Sequence, residues 1–412
     1  MKVMWFTNTF LPGPEGTGHD KLKHSGGWML ALCNALREFH PEIKLSVAST
    51  GRVSKIEKYT TNGIDCFVVP MRNQHSGAQE GYALKQCLNV VNGWKPDIIH
   101  IHGTERFYGL LSQNPSLCTS VIISIQGLMI PYSEWYHFFG NRPLIDLVKA
   151  HRLIEIPVKR GLIWDYYRFR KAAFRERQII ISNRFFMGRT TWDRAHLTSI
   201  NPEVTYFTVG EALREPFWRS RWALSECKRR KIIFIGPNHP RKGVEVLLKA
   251  ADILRPIYSD IQIVLIGNIS NRNGYGRYIR KEIGKRKDYV CADGSMNAEQ
   301  VVKKMCDSHV FVCPSFIENS SNAVCEAQLV GMPVVASHTG GMPSLIEEGR
   351  TGLFFPPGDA PYLAAVLDRL FKNDALCEKL SENSRKVAAE RHDIKTILND
   401  LLNAYNQMIN RA

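Results

Sequence analysis

Two carboxylates eight positions apart, Glu318 and Glu326, stand in the segment PSFIENSSNAVCEAQLVGMPVVASHTGGMP, Pro314 to Pro343. The apolar run Val310–Cys313 ahead of them reads as a buried strand that Pro314 ends. Glu318-Asn319-Ser320-Ser321-Asn322 crowds helix N-cap residue types together and predicts a helix from near Ser321 to Gly331. A short strand follows at Val334–Ser337. The start of such a helix offers bare backbone N–H groups and a positive dipole end, a ready anion site. Glu326 falls roughly 7 Å along that helix at ~1.5 Å per residue, about the span from a diphosphate to the ribose that carries it. Glu318, on the loop ahead, is placed to reach a group attached to that diphosphate. The competing reading makes Glu318 a glutamate favoured by the dipole and puts Glu326 on a solvated face. Two glutamates alone favour this second reading, and the rest of the segment has to overturn it.

Other residues point the same way. Ser25-Gly26-Gly27 precedes an apolar helix from Trp28 to about Phe39, and glycines there permit close approach by a phosphate or sugar; an ordinary tight turn gives the same pattern. Arg241 and Lys242 sit where the loop Pro237–Pro240 opens a helix, positive charge that opposes the dipole. His102 and Gln126 are the first polar residues after the apolar strands Asp97–Ile101 and Val121–Ile125. Residues at such strand ends line ligand sites in parallel sheets, and a capped turn is the alternative for His102. A Walker-type GxxxxGK, a spaced GxGxxG and an Asp-x-Asp metal motif are all missing.

These residues need a scaffold, and strand and helix signals alternate to supply it. Strands are expected at Met1–Phe6, Leu45–Ser49, Cys66–Pro70, Ile179–Ser182, Val204–Val209, Lys231–Gly236 and Ile261–Gly267, with helices between them. Repeated βα units with short turns predict parallel sheets covered on both faces. A chain of 412 residues with 44% hydrophobic and 23% charged content is long enough for two or three domains of ordinary globular type. No apolar run approaches the ~20 residues that span a bilayer, and no signal segment stands at Met1. A cytoplasmic protein is expected, peripheral at most at the inner face of the plasma membrane. Ten scattered cysteines without CxxC or zinc spacing read as reduced small residues.

The net charge is +15, and residues 151–200 hold eleven Lys/Arg against four Asp/Glu, nearly half of it. From Leu144 to Arg177 aromatic and basic residues interleave, among them Trp164, Tyr166, Tyr167, Arg168, Phe169, Arg170 and Lys171. That pattern suits an interfacial helix on anionic lipid, or a helix whose aromatics pack inward beneath solvated charges. No RNA-binding signature or zinc finger accompanies the basic stretch, so nucleic acid is not the expected partner.

Taken together, Glu318-x7-Glu326, Ala327, Gly331-Met332-Pro333-Val334 and Gly340-Gly341 closely resemble the donor-site motif of family 4 glycosyltransferases. The resemblance extends over nearly the whole chain and is strongest over residues 231–358. It implies the GT-B architecture: two Rossmann-like, doubly wound parallel-sheet α/β domains facing across a cleft. The division it suggests is an acceptor-side domain over 1–210, a nucleotide-sugar domain over 211–390 and a last helix, 391–412, crossing back. The implied activity is retaining transfer of a hexose from a nucleoside-diphosphate sugar to a glycan hydroxyl, without metal or other cofactor. The implied acceptor is a glycan or polyprenyl-diphosphate-linked chain in surface polysaccharide synthesis.

Carried over position by position, Glu326 holds the donor ribose and Glu318 contacts the transferred sugar. Gly26, Gly27, Ser320, Ser321 and Asn322 present backbone to the diphosphate. Lys242 contacts the phosphates. Arg241 substitutes for a second basic residue that the family places after Gly236, where this chain has Pro237. Asn268, Gly294 and Met296 fall in the nucleobase region, and His102 and Gln126 near the sugar and acceptor. Two departures stand out. Asn-Ser-Ser replaces glycines in the phosphate turn, and Gln126 replaces a histidine, which removes proton transfer near neutral pH from that position. A soluble-acceptor GT-B enzyme and a basic binding module without activity are the alternatives. The second predicts that replacing the two glutamates leaves function intact.

Overall fold

The computed structural model describes residues 1–13, 27–71, 77–140, 161–270 and 274–410. Gly26 and residues 144–160 of the basic stretch lie outside them. The chain divides into two compact units, 1–130 with 170–212 and 392–412, and 131–169 with 213–391. Residues 131–169 therefore group with the second unit although they fall inside 1–210, and the terminal stretch groups with the first.

In the first unit eight strands are described: β1 Lys2–Phe6, β2 Lys44–Gly51, β3 Glu57–Thr61, β4 Ile64–Pro70, β5 Ile98–His102, β6 Ser120–Ser124, β7 Phe185–Gly188 and β8 Thr205–Thr208. They form one sheet in the order β3-β4-β2-β1-β5-β6-β7-β8. Every pairing is parallel except the β3–β4 hairpin. Its turn is Asn62-Gly63, both at positive φ (47° and 72°), the conformation a two-residue hairpin demands. Central strands are buried on both faces, as parallel sheets require: Val3 and Trp5 belong to one core, Met4 and Phe6 to the other. The apolar run Ile179–Ser182 is not the strand expected of it. It is the last turn of a helix, Leu162–Ser182, in which Ile179 and Ile180 are buried and Ile181 is exposed. A four-residue apolar run fits a helix end as well as a strand; the strand is the next run, β7.

The helix Ile394–Ile409 closes one face of this sheet with Ile397, Leu398, Leu401, Ala404, Tyr405 and Met408. Tyr405 carries the polar content of that contact. Its hydroxyl accepts from Trp5 Nε1 at 3.1 Å and bonds His100 Nδ1 at 2.7 Å. His100 Nε2 bonds Ser124 Oγ at 2.6 Å, which donates to Met187 Sδ at 3.6 Å. Burial and the neighbouring His102 hold the His100 imidazole neutral, well below its ordinary pKa. A neutral ring offers one donor and one acceptor, and the chain Trp5–Tyr405–His100–Ser124–Met187 uses both.

The second unit contains six described strands: β9 Lys228–Ile235, β10 Gln262–Ile266, β11 Val290–Gly294, β12 Ser308–Cys313, β13 Val334–Ser337 and β14 Leu353–Phe355. All pairings are parallel, in the order β11-β10-β9-β12-β13-β14. The first strand of the unit lies beside the fourth, so the order reverses between β9 and β12. Ligands of open α/β sheets bind beyond the carboxyl ends of the strands at such a reversal. The ten cysteines are free, and Cys118 and Cys291 among them are exposed.

Tyr405→Phe leaves two buried polar groups, Trp5 Nε1 and His100 Nδ1, short of a partner. The expected loss is about 1–3 kcal/mol of stability, read from urea denaturation of the full chain.

Candidate functional site

The loops that leave β9 and β12 meet at the strand-order reversal. The β9 loop forms a 3₁₀ turn, Pro240–Lys242, capped by His239 Nδ1 accepting from the Arg241 N–H at 3.1 Å. A helix, Val244–Leu254, starts only after Gly243. Gly243 has φ of 68°, and a Cβ there would stand 1.9 Å from the Pro314 carbonyl oxygen. Glycine is thus the residue that lets the two loops touch. The Phe316 N–H donates to the Arg241 carbonyl at 2.7 Å and closes the contact.

Into this junction projects Glu318, 6% exposed. Its Oε1 pairs with Lys242 Nζ and accepts from Ser315 Oγ at 2.8 Å, with Arg241 Nη1 at 3.8 Å. Burial works against its charge; Lys242 first and Arg241 second outweigh it, and the carboxyl titrates below its ordinary value. The Arg241 guanidinium also lies over the Tyr132 ring at 5.1 Å. The Tyr132 hydroxyl accepts from the Asn319 N–H at 3.0 Å, so this tyrosine braces both loops. On the other side the Gly341 N–H donates to the Glu318 carbonyl at 2.9 Å. A Cβ on Gly340 would meet that same oxygen at 2.0 Å.

After Glu318 the helix Asn322–Val330 begins with Ser321 as N-cap, and Ser321 makes no side-chain capping bond. Glu326 projects from it, 4% exposed. Its two oxygens take a fork from Arg214, Nε to Oε1 at 2.6 Å and Nη2 to Oε2 at 2.7 Å. Burial raises its pKa even so, against the hydrogen bond and charge of Arg214. The solvated-face reading of Glu326 is therefore wrong. Asn268 and Gly294 follow or end the adjacent strands β10 and β11, where the Gly267 N–H donates to the Gly294 carbonyl at 2.7 Å, and Met296 is half-buried against the core.

His102 and Gln126 lie in the first unit, at the carboxyl ends of β5 and β6. Both line a small pocket with Trp28, Ser124, Arg189 and Glu211. His102 is buried, and neither ring nitrogen has a hydrogen-bond partner among the described residues. Burial lowers its pKa to about 3, so the ring is neutral and offers one donor and one acceptor to the pocket. Gln126 Oε1 accepts from Arg189 Nη2 at 3.3 Å, and Arg189 is ion-paired with Glu211. Gly27 starts the first helix and is exposed. Among the described residues no three His, Cys, Asp or Glu side chains converge as a metal site.

Sequence reading did not find Arg214, Tyr132 or Ser315. Ser315 lies inside the motif, three residues before Glu318. Arg214 and Tyr132 come from segments with no pattern tying them to it, and only the folded chain brings them there.

Residues 217–387 match the family model of glycosyl transferases group 1. The chain is 28% identical over 192 residues to alpha-D-kanosaminyltransferase of Streptomyces kanamyceticus, covering 46% of this chain and 48% of that protein. It is 28% identical over 187 residues to the amylovoran biosynthesis glycosyltransferase AmsK of Erwinia amylovora, covering 43% and 41%. These alignments span about half the length of the curated relatives or less. Among solved structures, HepE of Anabaena in complex with UDP-glucose superposes with a TM-score of 0.68 at 13% identity, over 99% of this chain and 100% of that one.

Glu318 has a depressed folded pKa, so its stabilising contribution is present above the ordinary carboxylate range and is lost as pH falls through the lowered value. In Lys242→Met burial dominates and the same carboxyl titrates higher. The expected outcome is a loss of about 1–3 kcal/mol near neutral pH that is partly recovered on mild acidification, because the folded carboxyl of the variant takes up its proton before the unfolded one does. The gap in melting temperature to wild type narrows as pH falls, and scanning calorimetry against pH reads both. The two parallel-sheet α/β units give the chain the GT-B fold, and its segment 217–387 is similar to the glycosyl transferases group 1.

Proposed function

We propose that this chain is a retaining hexosyltransferase that moves a sugar from a nucleoside-diphosphate donor to a hydroxyl of a growing, lipid-linked glycan in surface polysaccharide synthesis. The observation that carries the proposal is the pairing of half-buried Lys242 with buried Glu318 at the strand-order reversal, flanked by Arg241 and followed eight residues on by the buried Glu326. A diphosphate arriving at Ser320–Asn322 competes for Lys242 and Arg241. That frees the Glu318 carboxylate to accept a hydrogen bond from the sugar.

In the reaction the bond from the anomeric carbon to the phosphate oxygen breaks and the bond to the acceptor oxygen forms on the same face. The acceptor proton passes to the leaving phosphate oxygen. Lys242 and Arg241 stabilise the charge developing there, the role that metal ions fill elsewhere. Glu318 positions the sugar and Glu326 the ribose. Gly26 and Gly27 are assigned to the diphosphate, and Asn268, Gly294 and Met296 to the base. His102 and Gln126 are assigned to hydroxyls of the sugar or acceptor; both are neutral hydrogen-bonding groups, suited to a hydroxyl.

The lipid-linked acceptor rests on the helix Leu162–Ser182. Ile163, Tyr167, Phe174 and Ile181 are all exposed, and at 100° per residue they lie within about 40° of one another. Arg170, Lys171 and Arg177 are exposed beside them, whereas of the two acids of the helix Glu176 is buried and Asp165, solvent-accessible on the opposite side, is ion-paired with Arg168. Apolar residues interleaved with cations suit an anionic lipid surface. No described helix is long and apolar enough to cross a membrane. The amylovoran relative supports the polysaccharide reading.

A thermal-shift panel of UDP-, GDP- and ADP-sugars in EDTA tests the donor site. One nucleotide class should raise the melting temperature, and Glu326→Ala should abolish the rise. With that donor, Lys242→Ala should lower kcat about 10²–10³-fold. No shift with any nucleotide, or an unaffected Glu326→Ala, refutes the donor assignment. Separately, Arg170→Glu/Lys171→Glu/Arg177→Glu should abolish co-sedimentation with vesicles containing phosphatidylglycerol; unchanged binding removes the membrane reading.

A further inference from the structure

The Arg214–Glu326 pair carries an inference that rests on the proposed donor site. Arg214 is the N-cap residue of a short helix, Glu215–Arg219, whose first turn contains Pro216. Its guanidinium lies 4.8 Å from the centre of the ring of Phe217, which is fully buried. A proline-started turn and a ring face leave the planar fork little freedom. It meets both oxygens of Glu326 at once, through Nε and Nη2. A carboxylate has about four lone-pair positions. The fork takes one on each oxygen and leaves one on each.

We infer that Arg214 is the positioning residue of the ribose site: it keeps Glu326 ionised and aimed so that the remaining lone pair on each oxygen accepts one hydroxyl of a cis-diol. A ribose presents such a pair of hydroxyls, and a 2′-deoxyribose presents one. A protonated Glu326 would turn one acceptor into a donor and lose the match. Glu326 is 4% exposed and burial opposes its charge. Its other neighbours supply no compensating charge: Val324, Cys325, Ala327 and Gln328 of its helix are buried and uncharged. Arg214 is also fixed in charge, because a guanidinium does not deprotonate in a protein. A lysine would keep the charge and lose the fork.

The consequence is a preference for ribonucleotides that holds across pH. The test measures Kd by titration calorimetry on the full chain with UDP, GDP and ADP and the 2′-deoxy form of whichever binds best, at about pH 6 and about pH 8. Wild type should prefer the ribonucleotide by about tenfold or more at both values, the cost of one hydrogen bond to a charged group. Arg214→Met should keep less than about threefold preference at pH 6, with partial recovery at pH 8 as Glu326 ionises. Arg214→Lys should restore pH-independence but a smaller preference, for want of the fork. Inorganic pyrophosphate, which lacks a ribose, should bind all three proteins alike. A merely structural role would lower pyrophosphate affinity in step with the nucleotide. If Arg214→Met does not fold, the lysine variant carries the test by itself. An unchanged ribose preference in a folded variant overturns the inference. Binding of no nucleotide by wild type overturns the donor site itself, and the inference with it.

Discussion

A carboxylate cannot remain charged inside a protein without a counter-charge and hydrogen bonds. Glu318 satisfies that condition through Lys242, Arg241 and Ser315, and much of the second unit's local structure follows from it. Lys242 reaches Glu318 only because the loops after β9 and β12 touch, and they touch because Gly243 has no Cβ to meet Pro314. The loops adjoin because β9 and β12 are neighbours, the place where a doubly wound sheet reverses its order. Gly340 imposes the same condition from the other side, packing against the Glu318 carbonyl. The ion pair, the two glycines and the strand order are therefore one arrangement at three scales. A change at any of them displaces the same carboxylate.

The first unit buries an ion pair as well, Arg189 with Glu211, but beneath its last helix it solves the problem without charge. The buried polar groups there are neutral and form a directed chain from Trp5 through Tyr405, His100 and Ser124 to Met187. A tryptophan N–H can only donate, so each later hydroxyl or ring passes a donor onward. This fixes the last helix against the sheet by geometry as well as by apolar area. Beside that satisfied chain stands His102, its ring centre 4.0 Å from that of His100, yet with both buried nitrogens lacking a hydrogen-bond partner among the described residues. The two histidines, two positions apart on one strand, thus differ in whether the fold itself supplies their hydrogen-bond partners.

How legible each part was in the sequence depends on whether its cause is local. The turn from Pro314 to Ser321 was readable because proline, clustered N-cap residues and the glycines at 331 and 340–341 each act on their own neighbourhood. Lys242 was reachable through the resemblance. The hairpin strand β3, EKYTT, was not found, since it shows no apolar alternation, although Asn62-Gly63 is a strong local turn signal. The run Ile179–Ser182 was misread because four apolar residues carry no period of their own. Arg214 had no signal at all. Its role is created by a contact across 112 positions, and no residue type or spacing near position 214 announces it.

Charge shows the same dependence on folding. The excess of cations counted along the chain does not behave as one electrostatic field, because the fold uses basic residues in two different ways. Arg214, Lys242 and Arg241 are directed at buried carboxylates in the second unit, as Arg189 and Arg175 are toward Glu211 and Glu80 in the first. Those charges are largely compensated within the protein and are felt only by a ligand that enters their sites. Arg170, Lys171 and Arg177 instead stand in water on a helix whose acids are withdrawn from its exposed face. Such charges interact beyond the protein surface to about a Debye length, roughly 8 Å at physiological salt. Salt should accordingly weaken what the helix contacts far more than what Lys242 and Arg214 hold, since buried pairs are screened much less. A basic stretch in a sequence thus acquires physical meaning only when the carboxylates that absorb it have been located.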